Sequence, residues 1–370
     1  MASAKDIASI GRCLSNRLDA AAIGEKSFSG VIGDAPSLYS KSPRLWNAAF
    51  RHLQMNTVYL AFDVVAAELG NLLTAFKHCD SFVGANVTVP HKVRVMDFLD
   101  DIDRGAARIK AVNTIVRASD GRLVGYNTDG EGFVQSILQC QPNLKKAFLA
   151  KLNGMTVLLL GAGGAARAVA FHAADLLADG RLLICNRTPE PAHSLAAEIQ
   201  KLAPAATAIT DEDLPMWAPK AGLIVNSTTK GQGGIRKLAD GRVTFMERYS
   251  ALAPANPPAM AEADAGKSDS ERTWSNVAGA GIEANNQASM QLAQSIPAHV
   301  RFYDLIYHPE ETVFLRHGRL TGHPTMNGKS MIINQALLAF QRMCNAALQA
   351  RGIDTPQTYR QLLEVMYQAW

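Results

Sequence analysis

Thr156-Val157-Leu158-Leu159-Leu160-Gly161-Ala162-Gly163-Gly164-Ala165-Ala166-Arg167-Ala168-Val169 runs from aliphatic residues through a glycine-rich turn into an alanine-rich stretch. The leading aliphatics read as a strand buried on both faces, as in a parallel sheet. The turn keeps the G-x-G-x-x-A spacing. Gly161 permits the tight turn, Gly163 lets backbone approach a pyrophosphate, and Ala166 keeps the following helix close to the sheet. The start of that helix offers N–H groups and a positive dipole end to phosphate. Gly161, Ala162, Gly163, Gly164 and Ala165 are therefore candidate cofactor contacts. A bare glycine motif is weak evidence. The preceding strand, the following helix and a second strand, Leu182-Leu183-Ile184-Cys185, at the proper distance make this one specific.

The end of that second strand bears on the choice of nucleotide. Folds that bind NAD usually place an acid there for the ribose 2′-hydroxyl. This chain has Asn186-Arg187-Thr188, with no acid before Glu190. An acid would repel a 2′-phosphate, whereas Arg187 can grip one through a charge-assisted fork. The competing reading is a helix-capping Thr188 beside an incidental surface arginine. NADP is favoured.

Two segments upstream carry the polar chemistry: Asn86-Val87-Thr88-Val89-Pro90-His91-Lys92 and Gly125-Tyr126-Asn127-Thr128-Asp129-Gly130. A lone Lys or Asp is usually a solvated surface charge. Here Lys92 and Asp129 are flanked by Asn and Thr, short donor-acceptors able to hold the hydroxyls of a small polyol. Val87, Val89, Val112 and Ile115 read as strand positions that would seat those groups at strand ends. An amine, a carboxylate and several amides beside a cofactor turn suggest proton transfer coupled to hydride transfer.

With these motifs the chain resembles the shikimate dehydrogenase family, from about Phe28 to about Phe340 with one interruption. The ordered motifs are Gly33…Ser40-Lys41-Ser42-Pro43, Asn86 to Lys92, Ala111-Val112-Asn113-Thr114, Asn127-Thr128-Asp129-Gly130, Gly161 to Arg167, Asn186-Arg187-Thr188, Asn226-Ser227-Thr228-Thr229, Asp304-Leu305-Ile306-Tyr307-His308-Pro309, and Asn327-Gly328…Met331…Gln335-Ala336. The resemblance implies an NADP-dependent oxidoreductase acting on a CH–OH group, interconverting 3-dehydroshikimate and shikimate in chorismate and aromatic amino-acid biosynthesis. Carried across by position, it implies that Lys92 and Asp129 form the catalytic pair. Ser40 and Ser42 would hold the substrate carboxylate, and Asn86, Thr88, Asn113, Asp129 and Gln335 its hydroxyls, with Tyr307 nearby. Ala162, Arg167, Asn186, Arg187 and Thr188 would contact NADP(H), joined by Thr228 and Gly328 from their motifs. A site built of paired donors and acceptors rejects analogues that lack a hydroxyl.

Three departures from the family stand out. Tyr39 occupies the place where the family usually has His before the first serine. The turn Gly33-Asp34-Ala35-Pro36-Ser37-Leu38 is one residue longer than usual. Ala251 to Asn276 is rich in Ala, Pro, Ser and charge with almost no apolar periodicity, and reads as a low-complexity surface insertion. Two other readings stay open: a quinate/shikimate dehydrogenase using NAD, and a binding protein of this family that has lost catalysis. Intact Lys92 and Asp129 argue against the second.

Composition suits a soluble two-domain enzyme. The chain has 370 residues, formal net charge +4 and a pI near 8.7, enough for two cores. No Lys/Arg run is interleaved with aromatics, so no nucleic-acid role is expected. Five cysteines are scattered without a CxxC pair, which suits reduced thiols in the cytoplasm. The nine histidines form no ligand cluster, so no metal is expected. The stretch Val157 to Leu177 is broken by Gly163-Gly164, Arg167 and His172, which argues against a membrane span. The N-terminus lacks the long apolar core of a secretory signal. The expected state is a monomer or homodimer.

The expected fold class is α/β in two domains, an α/β substrate-binding domain and a Rossmann-type NADP-binding domain with a cleft between them. Residues 1–27 read as a tail, 28–130 with 328–370 as the substrate domain, and 131–327 as the nucleotide domain, with the insertion at 251–276. Asp120-Gly121 predicts a hairpin joining Val112–Arg117 to Arg122–Tyr126. Ser42-Pro43 opens a helix, and Thr358 to Trp370 reads as an amphipathic helix packed on the surface.

Overall fold

The computed structural model describes residues 2–142, 144–201, 206–238, 240–265 and 270–370. The chain divides into two units, Met1–Ala147 with Met331–Trp370, and Phe148–Ser330.

The first unit is built on strands β1 (Ser27–Gly33), β2 (Thr57–Asp63), β3 (Phe82–Val87), β4 (Asp101–Ile102), β5 (Thr114–Arg117) and β6 (Leu123–Tyr126), in the order β2-β1-β3-β5-β6-β4. β1 runs parallel to β2 and β3, while β5 pairs antiparallel with both β3 and β6. Two apolar clusters pack on this sheet. One contains Phe28, Phe62, Phe76 and Phe82, with the Phe76 and Phe82 rings stacked 3.9 Å apart. The other contains Trp46, Phe50, Tyr59 and Phe340, where Trp46 stacks on Tyr59 at 4.7 Å. The hairpin and the Ser42 helix start lie where the sequence places them.

Of the expected tail at 1–27, the described residues 2–27 pack onto the first unit. Ser3 and Asp6 form a capping box that starts the helix Ala4–Arg12. Ile10 and Ile23 are fully buried in the first cluster. Asn16 donates to Ala61 O at 3.0 Å and accepts from Asp63 N at 2.9 Å, satisfying backbone groups along the edge strand β2. Single apolar residues in a polar stretch carried too little periodicity to show this. The helix Pro356–Ala369 also goes deeper than surface packing, because Leu362 and Met366 are fully buried beside Leu45 and Trp46.

The expected domain boundary at 130/131 falls inside the first unit, which extends to Ala147. One contact that ties this stretch to the first unit lies at Gly132 on the helix Asp129–Leu138. A Cβ there would lie 2.7 Å from Gln335 N, so the missing side chain lets this helix press onto Lys329–Ala350.

The second unit carries β7 (Thr156–Leu160), β8 (Arg181–Cys185), β9 (Ala206–Ile209), β10 (Leu223–Asn226), β13 (Arg301–Asp304) and β14 (Thr325–Met326), all parallel, in the order β14-β13-β10-β7-β8-β9. Read from β9 this is the 3-2-1-4-5-6 order of a doubly wound sheet, which reverses between β7 and β10. A hairpin of β11 (Ile235–Lys237) and β12 (Val243–Phe245) lies outside it.

The region 251–276 is a further correction; its residues 266–269 lie outside the described residues. Ala251, Leu252, Ala253 and Trp274 are each at most 4% exposed. Asn285 accepts from Ser250 N at 2.8 Å and donates to the carbonyls of Ser250, Ala253 and Pro254 at 2.9–3.2 Å. Trp274 Nε1 donates to Pro258 O at 2.7 Å, and its ring packs on Phe245 and Tyr249. Trp274 lies on a long helix, Ser270–Ser295. One indole and one amide hold the segment, and neither produces a periodic pattern.

Candidate active site

In the first unit, Lys92 follows β3 and Asp129 opens the helix Asp129–Leu138. Lys92 Nζ sits 2.7 Å from Asp129 Oδ2, with the carboxylate side chain 5% exposed and the amine 25%. The second carboxylate oxygen accepts from Asn113 Nδ2 at 2.8 Å. Asp129 N donates to Asn127 Oδ1 at 3.0 Å, which fixes the start of the helix. An acid in the first helical turn is also favoured by the dipole.

Asn113 is the hub. Its amide nitrogen reaches Gln335 Oε1 and Thr128 Oγ1, each at 3.0 Å. Its oxygen accepts from Thr128 N at 2.8 Å and Thr114 Oγ1 at 2.9 Å. Asn86 Nδ2 donates to Asn113 O and Thr114 Oγ1 at 3.3 Å. Asn86 Oδ1 accepts from Tyr59 OH at 2.7 Å. Ser42 bonds the same hydroxyl, whose acidity burial suppresses far below that of an ordinary tyrosine. Ser40 Oγ accepts from Ser42 N at 3.2 Å. The backbone N–H of Thr88 donates to Ile32 O at 2.9 Å.

Ser40, Ser42, Asn86, Asn113, Gln335, Lys92 and Asp129 are thus tied together by Tyr59 and Asn113. Tyr59 went unnoticed in the sequence because an aromatic inside a strand reads as core. Tyr39 donates to Asp34 Oδ1 at 2.9 Å. Gly33 is close-packed there: a Cβ on it would meet Thr88 Cγ2 at 2.6 Å and the Tyr39 hydroxyl at 3.2 Å. Tyr307 belongs to the second unit, in the segment after β13.

In the second unit a cavity of about 270 Å³ lies at the sheet's reversal point, lined by Gly161, Ala162, Gly163, Asn186, Arg187, Thr188 and Thr228. Gly161 has φ +110°, and a Cβ there would meet Ser227 Oγ at 2.6 Å. Only glycine fits. The helix Gly164–Leu177 starts at Gly163 with no side-chain cap, leaving its first N–H groups for an anion. Gly164 and Ala165 are its first two residues. Thr228 is positioned by Asn226, whose Oδ1 accepts from Thr228 N at 2.9 Å and Oγ1 at 2.7 Å. Asn226 in turn donates to the buried Asp304 Oδ1 at 3.0 Å. Burial raises the Asp304 carboxyl to about 7, against the pull of its Thr312, Ile306 and Asn226 hydrogen bonds.

Two expected cofactor residues do other work in this structure. Arg167 pairs with Glu198, its two terminal nitrogens at 3.3 and 2.8 Å from the carboxylate, and lies over the Phe171 ring. Gly328 is a packing glycine, since a Cβ would fall 2.0 Å from Leu305 O. Conversely, the cavity is also lined by Lys230, Arg236, Met246, Ala251 and Ala255, none of them singled out in the sequence. Lys230 Nζ donates to Ala253 O at 2.8 Å, and burial lowers its basicity. The signal available was a lysine directly after the Asn226–Thr229 motif. Among the described residues no group of three His, Cys, Asp or Glu side chains could hold a metal. No helix among them is long and apolar enough to cross a membrane.

A doubly wound unit with a glycine turn at its reversal point, and another unit presenting a Lys–Asp pair among amides and hydroxyls, define a dinucleotide-dependent oxidoreductase. The family model described as the shikimate dehydrogenase substrate binding domain matches residues 31–115. Shikimate dehydrogenase (NADP(+)) of Carboxydothermus hydrogenoformans is 34% identical over 86% of this chain and 92% of its own length. A crystal structure of a shikimate dehydrogenase in complex with NADP+ superimposes with a TM-score of 0.66 at 29% identity, covering 94% of this chain and 95% of that one. Shikimate 5-dehydrogenase from Thermus thermophilus, in complex with NADP(H) and shikimate, gives 0.62 at 26% identity, covering 93% and 99%. The chain belongs to the shikimate dehydrogenase family.

Proposed function

We propose that this protein is an NADP-dependent shikimate dehydrogenase that interconverts 3-dehydroshikimate and shikimate. The observation that carries this reading is the Lys92–Asp129 pair, fixed by Asn113 and Gln335, in a chain so similar to shikimate dehydrogenases.

The residues present fit the cofactor. The crowded Gly161 turn and the uncapped start of Gly164–Leu177 suit a pyrophosphate, while Arg187 and Thr188, on the same cavity, would receive the adenosine end. When bound, NADPH supplies a hydride to the ketone carbon. Lys92 then gives a proton to the oxygen that becomes the alcohol, and its ammonium stabilises the negative charge developing there. Asp129 accepts from a neighbouring hydroxyl and orients Lys92. In the reverse direction Lys92 takes the proton back. Ser40 and Ser42 anchor the carboxylate, and Asn86, Thr88, Asn113 and Gln335 sort the hydroxyls. The same reading places the enzyme in the cytoplasm, as a monomer or homodimer, in chorismate and aromatic amino-acid biosynthesis. Five unpaired cysteines suit such a reducing compartment.

Initial rates with shikimate and with quinate, each with NADP and NAD, test this. Highest kcat/KM for shikimate with NADP is expected. A preference for quinate or NAD, or no oxidation of either alcohol, would refute it.

A further inference from the structure

The cofactor cavity holds more positive charge than its sequence motifs account for. Arg187, at the end of β8, is joined on its lining by Arg236 from the hairpin β11–β12. Side chains alternate across a strand, and the neighbours of Arg236 go elsewhere: Lys237 pairs with Glu262 at 2.6 Å, and Ile235 is exposed. Arg236 Nη1 donates to Thr229 Oγ1, which aims the guanidinium back at the cavity. Partial desolvation and the nearby Arg187 charge together depress its basicity, although the residue keeps one side exposed. Among the described residues neither arginine has a carboxylate partner. The acid on the lining, Asp211, accepts from Cys185 Sγ at 3.3 Å.

Two guanidinium groups that face one cavity, neither paired with a carboxylate, repel each other, and an anion between them would relieve that repulsion. In a doubly wound fold the end of the second strand is where the adenosine ribose lies, apart from the pyrophosphate at the glycine turn. We propose that Arg236 is a specificity-determining residue that clamps the 2′-phosphate of NADP opposite Arg187. This rests on the NADP reading above. The hairpin thereby supplies a second arginine that the segment after β8 lacks, since Thr188 is followed by Pro189-Glu190-Pro191.

The test uses the full-length enzyme and the variants Arg236→Ala and Arg236→Lys, with KM for NADP and NAD at saturating shikimate. Binding of 2′,5′-ADP and 5′-AMP is titrated by calorimetry in parallel. Arg236→Ala is expected to raise KM for NADP and Kd for 2′,5′-ADP about ten-fold or more, with NAD and 5′-AMP little changed. Arg236→Lys recovers part of the loss, keeping the charge without the fork. A wild type that prefers NADP, with an Arg236→Ala variant of unchanged NADP KM, overturns this inference alone. Equal weakening of 2′,5′-ADP and 5′-AMP also overturns it, as damage to the pocket wall. A wild type that prefers NAD overturns the cofactor reading first.

Discussion

Asn113 Nδ2 lies 2.8 Å from Asp129 Oδ1, on the carboxylate whose other oxygen meets Lys92 Nζ at 2.7 Å. Lys92, Asp129 and Asn113 therefore form a triad in space, drawn from three separate segments. Both oxygens of Asp129 have a partner, so the carboxylate cannot rotate without breaking a hydrogen bond to a group that is itself held in place.

Asn113→Ala is expected to harm stability and binding together. It strips acceptors from Thr128 N and Thr114 Oγ1 in a region almost closed to water. Leaving such groups unpaired costs about 1–3 kcal/mol each. A chemical unfolding curve should show the loss, and KM for shikimate should rise. Unchanged stability would mean that water replaces the amide freely.

Asp129→Asn tests orientation. The amide keeps its size but loses the charge that faces Lys92, and the contact to a hydroxyl present in ground and transition states alike. Both kcat and KM should worsen. A change confined to KM would make Asp129 a binding group only.

Asp304 carries the pH prediction. Its folded-state value is raised to about 7 by burial, above the ordinary carboxyl value near 3.9. The folded protein thus holds a proton that the unfolded chain releases. Its stabilising contribution is complete below about pH 4 and is lost as pH rises towards 7 and just beyond. Asp304→Asn, which keeps an acceptor for Asn226 and Ile306, should flatten this slope. Unfolding midpoints from pH 4.5 to 8 for both proteins decide it; parallel curves would contradict the assignment.

Trp274→Ala should destabilise the second unit by about 3 kcal/mol, as expected for removing a buried indole. It also removes the donor to Pro258 O. Because the same segment contributes Ala253, which receives Lys230 Nζ, NADP binding should weaken as well. A variant with wild-type melting and wild-type KM would restore the reading of 251–276 as a dispensable surface loop.

These contrasts show what a sequence of this kind makes legible. The Gly161 turn can be read because its chemistry is local: a strand, a backbone that tolerates no Cβ, a helix start. Lys92, Asn113 and Asp129 stand out because short polar residues recur at strand ends. Tyr59 does not, because its strand position looks like core and its hydroxyl acts only through Asn86 across the sheet. Arg236 and Trp274 are illegible for another reason. Each sits in chain without apolar period and gains its role from distant partners, Arg187 and Thr229 for one, Phe245 and Pro258 for the other. The N-terminal segment fails similarly, since two isoleucines and one asparagine dock it.

The most direct measurement is steady-state shikimate oxidation with NADP by Lys92→Ala beside the wild type, reading kcat and KM separately. In the proposed mechanism Lys92 acts on charge that develops only in the transition state, so kcat should fall by about 10²–10⁴ while KM changes little. A variant with near-wild-type kcat would contradict both the mechanism and the placement of the active site at the Lys92–Asp129 pair.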